Sequence, residues 1–187
     1  PIETTRPPAV AASPTPKPSP TPMLEADQCP LTGEKNAARP WANRRPLSVK
    51  LDNNPQARPQ SGTTSADIVF EHEVEGGITR FVAVFYCHET DPIGPVRSAR
   101  LLDFELVPML QAILVHVGAS SPIIELVRAS SFGERRIDQT IHKAPFARIT
   151  ERELPFNVYT STDNLWLEAQ RRGNQQAVKL EGWLFRA

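Results

Sequence analysis

Residues 68–87 constrain the fold more than any other stretch of the chain. Ile68, Phe70, His72 and Val74 fall on one side of an extended strand, and Val69, Glu71, Glu73 and Glu75 on the other. That is the period of two imposed by a pleated strand. Gly76-Gly77 follows and supplies a tight hairpin turn, since both residues adopt positive φ without strain. Residues 79–87 then read as the partner strand. With a two-residue turn, Glu75 pairs with Ile78, Glu73 faces Arg80 and Glu71 faces Val82.

The remaining segments supply further strands and the helices that cover them. Residues 47–51 read as a strand ending in the turn cluster Asp52-Asn53-Asn54-Pro55, followed by a loop through residues 58–62 and a helical turn near Thr64. Residues 112–117 are apolar apart from His116, as a central buried strand requires. Between these lies Ile93-Gly94-Pro95-Val96-Arg97-Ser98-Ala99-Arg100. It leads into a helix predicted over residues 98–107, capped by Ser98 and stopped or kinked at Pro108. Gly118-Ala119-Ser120-Ser121-Pro122 turns into a short helix near residues 122–129. Residues 146–149 and 157–160 read as short extended pieces. Ser161 or Thr162 caps a last helix over residues 163–172, with its acid first and its arginines last, as the helix dipole prefers. Residues 178–187 read as a final strand. Strands alternating with helices predict an α/β or α+β domain, a mixed β-sheet flanked by helices.

Residues 1–40 contain no Phe, Trp or Tyr and include the run SPTPKPSPTP. A segment of this kind cannot bury enough apolar surface to offset its ordering entropy, so a disordered Pro/Thr/Ser-rich tether is expected over 1–40. A single globular domain is expected over 41–187. Such semi-rigid spacers suit the separation of a membrane anchor from an extracytoplasmic domain, the anchor itself having been removed. Lys+Arg and Asp+Glu both number 21, which lacks the basic footprint of a nucleic-acid binder. No apolar run of about 18 residues is present to span a membrane. A bridge between Cys29 and Cys87 would suit an oxidising compartment. The placement of one near the tail and the other at a strand end favours two unlinked thiols instead. Two cysteines and four scattered histidines form no zinc pattern.

Chemistry concentrates at Arg97 and Arg100. Three residues apart at a helix start, they meet the positive end of the dipole. A bound phosphate or carboxylate, or a carboxylate of this chain, is then required beside them. Glu71, Glu73 and Glu75 provide such acids. With Asp52 they also suit a divalent cation or acid–base work, but a solvated sheet face is the favoured reading and no cofactor is required. His116 is a candidate base, although a core histidine bonded to a backbone carbonyl is the commoner case. A triad of Ser120, His116 and Asp103 lacks the Gly-x-Ser-x-Gly elbow and is set aside. There is no Walker loop and no dinucleotide fingerprint. Asn157 opens a polar strand-to-helix passage. The candidate ligand-binding set is Arg97, Arg100, Arg80, Arg58, Glu73, Asp52, His116, Ser120 and Asn157. No catalytic residue and no metal site is assigned.

A series of blocks runs along the chain: Pro30-Leu31-Thr32-Gly33, Arg45-Pro46-Leu47 running to Asp52-Asn53, and Ala57-Arg58-Pro59-Gln60-Ser61-Gly62. Next come Ala66-Asp67-Ile68-Val69, Val74-Glu75-Gly76-Gly77-Ile78-Thr79-Arg80-Phe81, and Ile93 through Arg100. His116-Val117-Gly118 with Ser120, and Asn157-Val158-Tyr159-Thr160-Ser161, complete the set. In these blocks and their order the chain resembles the YerB-like lipoproteins, a bacterial extracytoplasmic family of unknown function. The usual Pro-His-Asn of the late motif stands here as Pro155-Phe156-Asn157. The resemblance implies a lipid-anchored protein of the cell envelope with a second, carboxy-terminal domain. It implies no reaction. The layout of a strand pair followed by an arginine-bearing loop and helix is also similar to the LytR-CpsA-Psr phosphotransferases, which grip a polyprenyl pyrophosphate with arginines. Their Arg-Asp pair is absent, because Ser98 follows Arg97. Three functions are expected, in this order: a module binding an anionic envelope ligand or envelope protein, a metal-assisted enzyme acting on a phosphorylated, polyprenyl-linked envelope precursor, and a purely structural lipoprotein.

Overall fold

The hairpin is the outer pair of a five-stranded mixed sheet in the computed structural model, which describes residues 25–180. Residues 1–24 of the tether expected over 1–40, and the end of the last predicted strand, 181–187, lie outside the described residues. The strands are β1 (Leu47–Asp52), β2 (Ile68–Glu73), β3 (Thr79–Phe85), β4 (Ile113–His116) and β5 (Ile137–Asp138), ordered β2-β3-β1-β4-β5. β3 lies antiparallel to both β1 and β2, whereas β4 is parallel to β1 and to β5. The helices are α1 (Asp103–Met109), α2 (Ser121–Ala129) and α3 (Thr162–Arg171), and β6 (Ala147–Arg148) pairs with β7 (Val158–Tyr159) in a separate antiparallel ribbon.

β1 is buried along its whole length because it is central and both faces are covered. One face carries Leu47, Val49 and Leu51 beside Phe85, Ile113 and Val115, and packs on Leu165, Trp166 and Ala169 of α3. On the other face Phe70, Val82 and Val84 meet Leu106 of α1 and Leu110 just after it, together with Trp41 and Tyr86. There too, Leu114 meets Val107 of α1 and Val127 of α2. Three layers around the sheet follow from these two apolar faces. α3 begins as expected, with the Ser161 side chain accepting the Asn164 N–H at 3.2 Å.

Three expectations need correction. First, the hairpin turn contains three residues, Glu75-Gly76-Gly77, with φ of 78° and 69° at the two glycines. The loop closes where Val74 N–H donates to the Ile78 carbonyl at 2.8 Å. The odd residue slips the pairing by one position, so Glu73 faces Thr79 and His72 faces Arg80, and such a slip exchanges every cross-strand neighbour.

Second, no helix begins at Ser98. Residues 96–99 run extended between the carboxyl ends of β1 and β4. Arg97 N–H donates to the Lys50 carbonyl (2.9 Å), Val117 N–H to the Arg97 carbonyl (3.0 Å), and Ala99 N–H to the Gly118 carbonyl (3.1 Å). Main-chain groups committed to two strands cannot serve a helix. α1 starts at Asp103, whose carboxylate accepts the Arg100 N–H at 2.7 Å. The acids Asp103 and Glu105 therefore occupy the positive end of the dipole. Pro108 lies in the final turn, one residue before the helix ends. Gly94, just upstream, lies against the Tyr159 ring: a Cβ there would be 2.5 Å from that ring.

Third, Cys29 and Cys87 form a disulfide, and residues 25–40 are part of the folded body rather than the tether. Gln28 bridges Lys35, and Cys29 and Leu31 are buried beside Trp41 and Tyr86. These side chains fill an apolar face that would otherwise meet water. The sequence reading missed this because the apolar residues of 25–40 are few and show no period.

Candidate functional site

The extended segment 96–99 positions the arginines. By wedging between β1 and β4 it brings Arg97 beside Asp52, the last residue of β1, and Arg100 beside the hairpin turn. The crevice at the carboxyl ends of parallel strands, where neighbouring strands diverge, is the usual location of a ligand site in such sheets. Arg97 Nε lies 2.7 Å from Asp52 Oδ2, close but not aligned as a hydrogen bond. Its guanidinium also stands 5.9 Å from the centre of the Phe156 ring, at the weak outer limit of a cation–π contact. Arg100 donates Nε–H to Glu75 Oε2 at 3.0 Å and holds the Ala99 carbonyl through Nη1 at 2.8 Å. The negative partners required beside the arginines are thus Asp52 and Glu75 of the same chain.

Arg80 differs. The register slip buries it at 5 % exposure. Its Nη1–H donates to the Ser98 carbonyl at 3.2 Å, and Nε has no partner. Among the described residues no carboxylate lies within ion-pair reach of it. Burial, then the positive charges of Arg100 and Arg97, pull its pKa down to about 10. A guanidinium resists deprotonation strongly, so a shift of this size marks an under-compensated cation.

A buried polar trio lies next to this cluster. Lys50 Nζ is 3.0 Å from Asp103 Oδ1 and 2.9 Å from His72 Nε2, and the side chains of Lys50 and Asp103 are fully buried. Burial lowers the Lys50 pKa despite Asp103, and burial with the Lys50 charge lowers that of His72. The consistent state is an ammonium donating to a neutral imidazole. Sequence reasoning passed over Lys50. No local signal marked it, because Val49 and Leu51 turn to the opposite face and its burial comes from β3 and β4 on either side of β1.

The other candidates are dispersed. Arg58 donates to the Asn53 side chain and carbonyl and braces the loop after β1. His116 is buried, with Nδ1 2.9 Å from the Gly118 carbonyl and its Nε2 unpartnered, and burial holds its pKa below the ordinary value. Asp138, paired opposite it on β5, accepts Gly118 N–H and Thr140 N–H, each at 3.0 Å. Ser120 is exposed at the start of α2. Asn157 accepts from Arg148 Nη1 at 2.7 Å. Glu73 is exposed on β2, and Glu71 accepts from Thr79 and Asn53. The carboxylates considered for a cation are thus engaged separately or exposed. Among the described residues, one group of metal-ligating side chains converges, Cys29, Asp67 and Cys87, and the disulfide removes its thiolates.

Comparison with known proteins places these features in context. Residues 31–175 match the family described as "Protein of unknown function (DUF3048) N-terminal domain". The chain is 36% identical over 158 residues to "Putative lipoprotein YerB" of Bacillus subtilis (strain 168), covering 84% of this chain and 47% of the relative. A crystal structure of YerB protein from Bacillus subtilis superposes with a TM-score of 0.71 at 36% identity, over 80% of this chain and 51% of that one. The chain spans about half the length of these relatives.

Proposed function

The chain belongs to the DUF3048 N-terminal-domain family, and on that premise we propose that it is an extracytoplasmic, lipid-anchored module that binds an anionic envelope ligand through Arg80, Arg97 and Arg100. The relative's name, a lipoprotein, and the Cys29–Cys87 disulfide support the location, since structural disulfides persist in oxidising compartments. The observation that carries the binding function is Arg80. Around it, Lys50, Arg97 and Arg100 each have a carboxylate partner, namely Asp103, Asp52 and Glu75. Arg80 is the fourth cation and has none. A phosphate or carboxylate entering beside Arg97 supplies the missing charge, and guanidinium forks suit such oxyanions.

The same ion pairs favour a second reading, in which Arg97 and Arg100 only lock the wedge to β1 and the hairpin turn. Calorimetric titration with inorganic phosphate and diphosphate separates the two. The ligand reading expects binding that weakens with salt and drops about tenfold or more in Arg80→Gln, with the fold retained. Absence of binding and of any ligand-linked rise in melting temperature would leave the structural role. Turnover of a polyprenyl diphosphate in the presence of magnesium would replace the binding module with the metal-assisted enzyme.

A further inference from the structure

We propose that the cleft between the hairpin turn, the loop before α1 and the start of α2 is a docking groove for a basic peptide segment of a protein partner, one that offers a leucine or phenylalanine beside lysine or arginine. The cleft has a volume of about 590 Å³ and is lined by His72, Val74, Leu101, Leu102 and Ile123, with Glu73, Glu75, Arg100 and Glu105 also lining it. Its apolar floor is open: Leu101 is 64% exposed, and exposed apolar patches bordered by charge mark interaction surfaces. The volume accommodates more than one side chain.

Charge selects the occupant. Arg100 is engaged by Glu75, whereas Glu73 and Glu105 have no cation within ion-pair reach among the described residues. Three carboxylates against one arginine leave the cleft net negative, with His72 neutral beside Lys50. An anionic amphiphile or an anionic bilayer would meet repulsion there. A partner with a cation on either side of an apolar anchor covers Leu101 and pairs both free acids, the arrangement of an apolar hot spot within a charged rim. Of the three arginines of the proposed anion site, Arg100 lines this cleft, held there by Glu75, whereas Arg80 and Arg97 do not, so the two sites adjoin at Arg100 and the groove is carried by Glu73, Glu105 and the apolar floor.

Methyl-resolved NMR of the full chain tests it with two peptides, acetyl-Lys-Leu-Phe-Lys-amide and acetyl-Glu-Leu-Phe-Glu-amide, and with n-octyl phosphate. The basic peptide is expected to shift the methyls of Leu101, Leu102 and Ile123 and to bind about threefold to tenfold tighter than the acidic one, two exposed pairs being worth little each. Glu73→Gln with Glu105→Gln should abolish that preference while leaving the remaining spectrum unchanged. Equal or tighter binding of the acidic peptide or octyl phosphate overturns the proposal. So does self-association through these methyls, or no shift at the cleft.

Discussion

Replacing Lys50 with methionine gives the sharpest test of how the sheet and α1 are joined. The variant keeps the length of the side chain and removes its charge from a fully buried pair with Asp103 at 3.0 Å. Asp103 is then left as an uncompensated carboxylate at 0% exposure. It keeps the hydrogen bond that it accepts from the Arg100 N–H. Breaking one side of a buried ion pair costs about 3–5 kcal/mol. Removing both charges behaves differently. Burial, with the charges of Arg80 and Arg100, holds the Lys50 pKa below the ordinary value despite Asp103. Desolvation of a buried pair commonly matches or exceeds its mutual attraction, so an apolar replacement of both groups is expected to be neutral or stabilising. Urea unfolding of Lys50→Met, Asp103→Leu and the double variant forms a complete cycle. The expected pattern is a loss of about 3–5 kcal/mol in Lys50→Met, largely recovered in the double variant. A loss below about 1 kcal/mol in Lys50→Met, or a double variant equal to the sum of the singles, refutes the reasoning.

Two further outcomes follow from the same structure. His116 is buried with its pKa held below the usual value, so the unfolded chain binds the extra proton first as pH falls. Stability from His116 is therefore complete above about pH 6.5 and is lost below it, by up to about 1.4 kcal/mol per pH unit. The lowered values of His72 and His142 act in the same direction. Urea midpoints at pH 7.5 and 5.5 check this, and the slope should flatten in His116→Gln. The disulfide joins positions 58 residues apart. Chain-entropy arguments assign such a crosslink about 4 kcal/mol, with measured values commonly 2–4. Cys29→Ser with Cys87→Ser should lower stability by that amount and open residues 25–40 to proteolysis before the rest, and limited digestion with mass spectrometry reads the order.

Much of the fold was legible because strand period and helix capping are local. Ile68, Phe70 and His72 lie on the more buried side of β2, with Val69, Glu71 and Glu73 exposed, as their alternation required. Ser161 caps α3, and the apolar run 112–117 contains β4. The site was legible in composition but not in geometry. Arg97 and Arg100 do meet carboxylates, yet the reason is not a helix dipole. Ser98 has the chemistry of a cap, but its neighbours Arg97 and Ala99 bond to Lys50 in β1 and to Gly118 just beyond β4, partners distant along the chain. Lys50 was invisible as a buried group because its depth depends on β4 lying on one side of β1 and β3 on the other.

By itself the sequence determined the strands of the hairpin, β1 and β4, the helices α2 and α3, and the inward face of β2, since these follow from steric period and from side chains bonding their own backbone. It also carried the motifs that place the chain in its family. Only the tertiary structure decided the three-residue turn that moved Arg80 from Glu73 to His72, the wedge at residues 96–99, and the crosslink that folds residues 25–40 back. Each of these is a choice among partners distant along the chain, where hydrogen bonds and buried area in the assembled layers outweigh local preference.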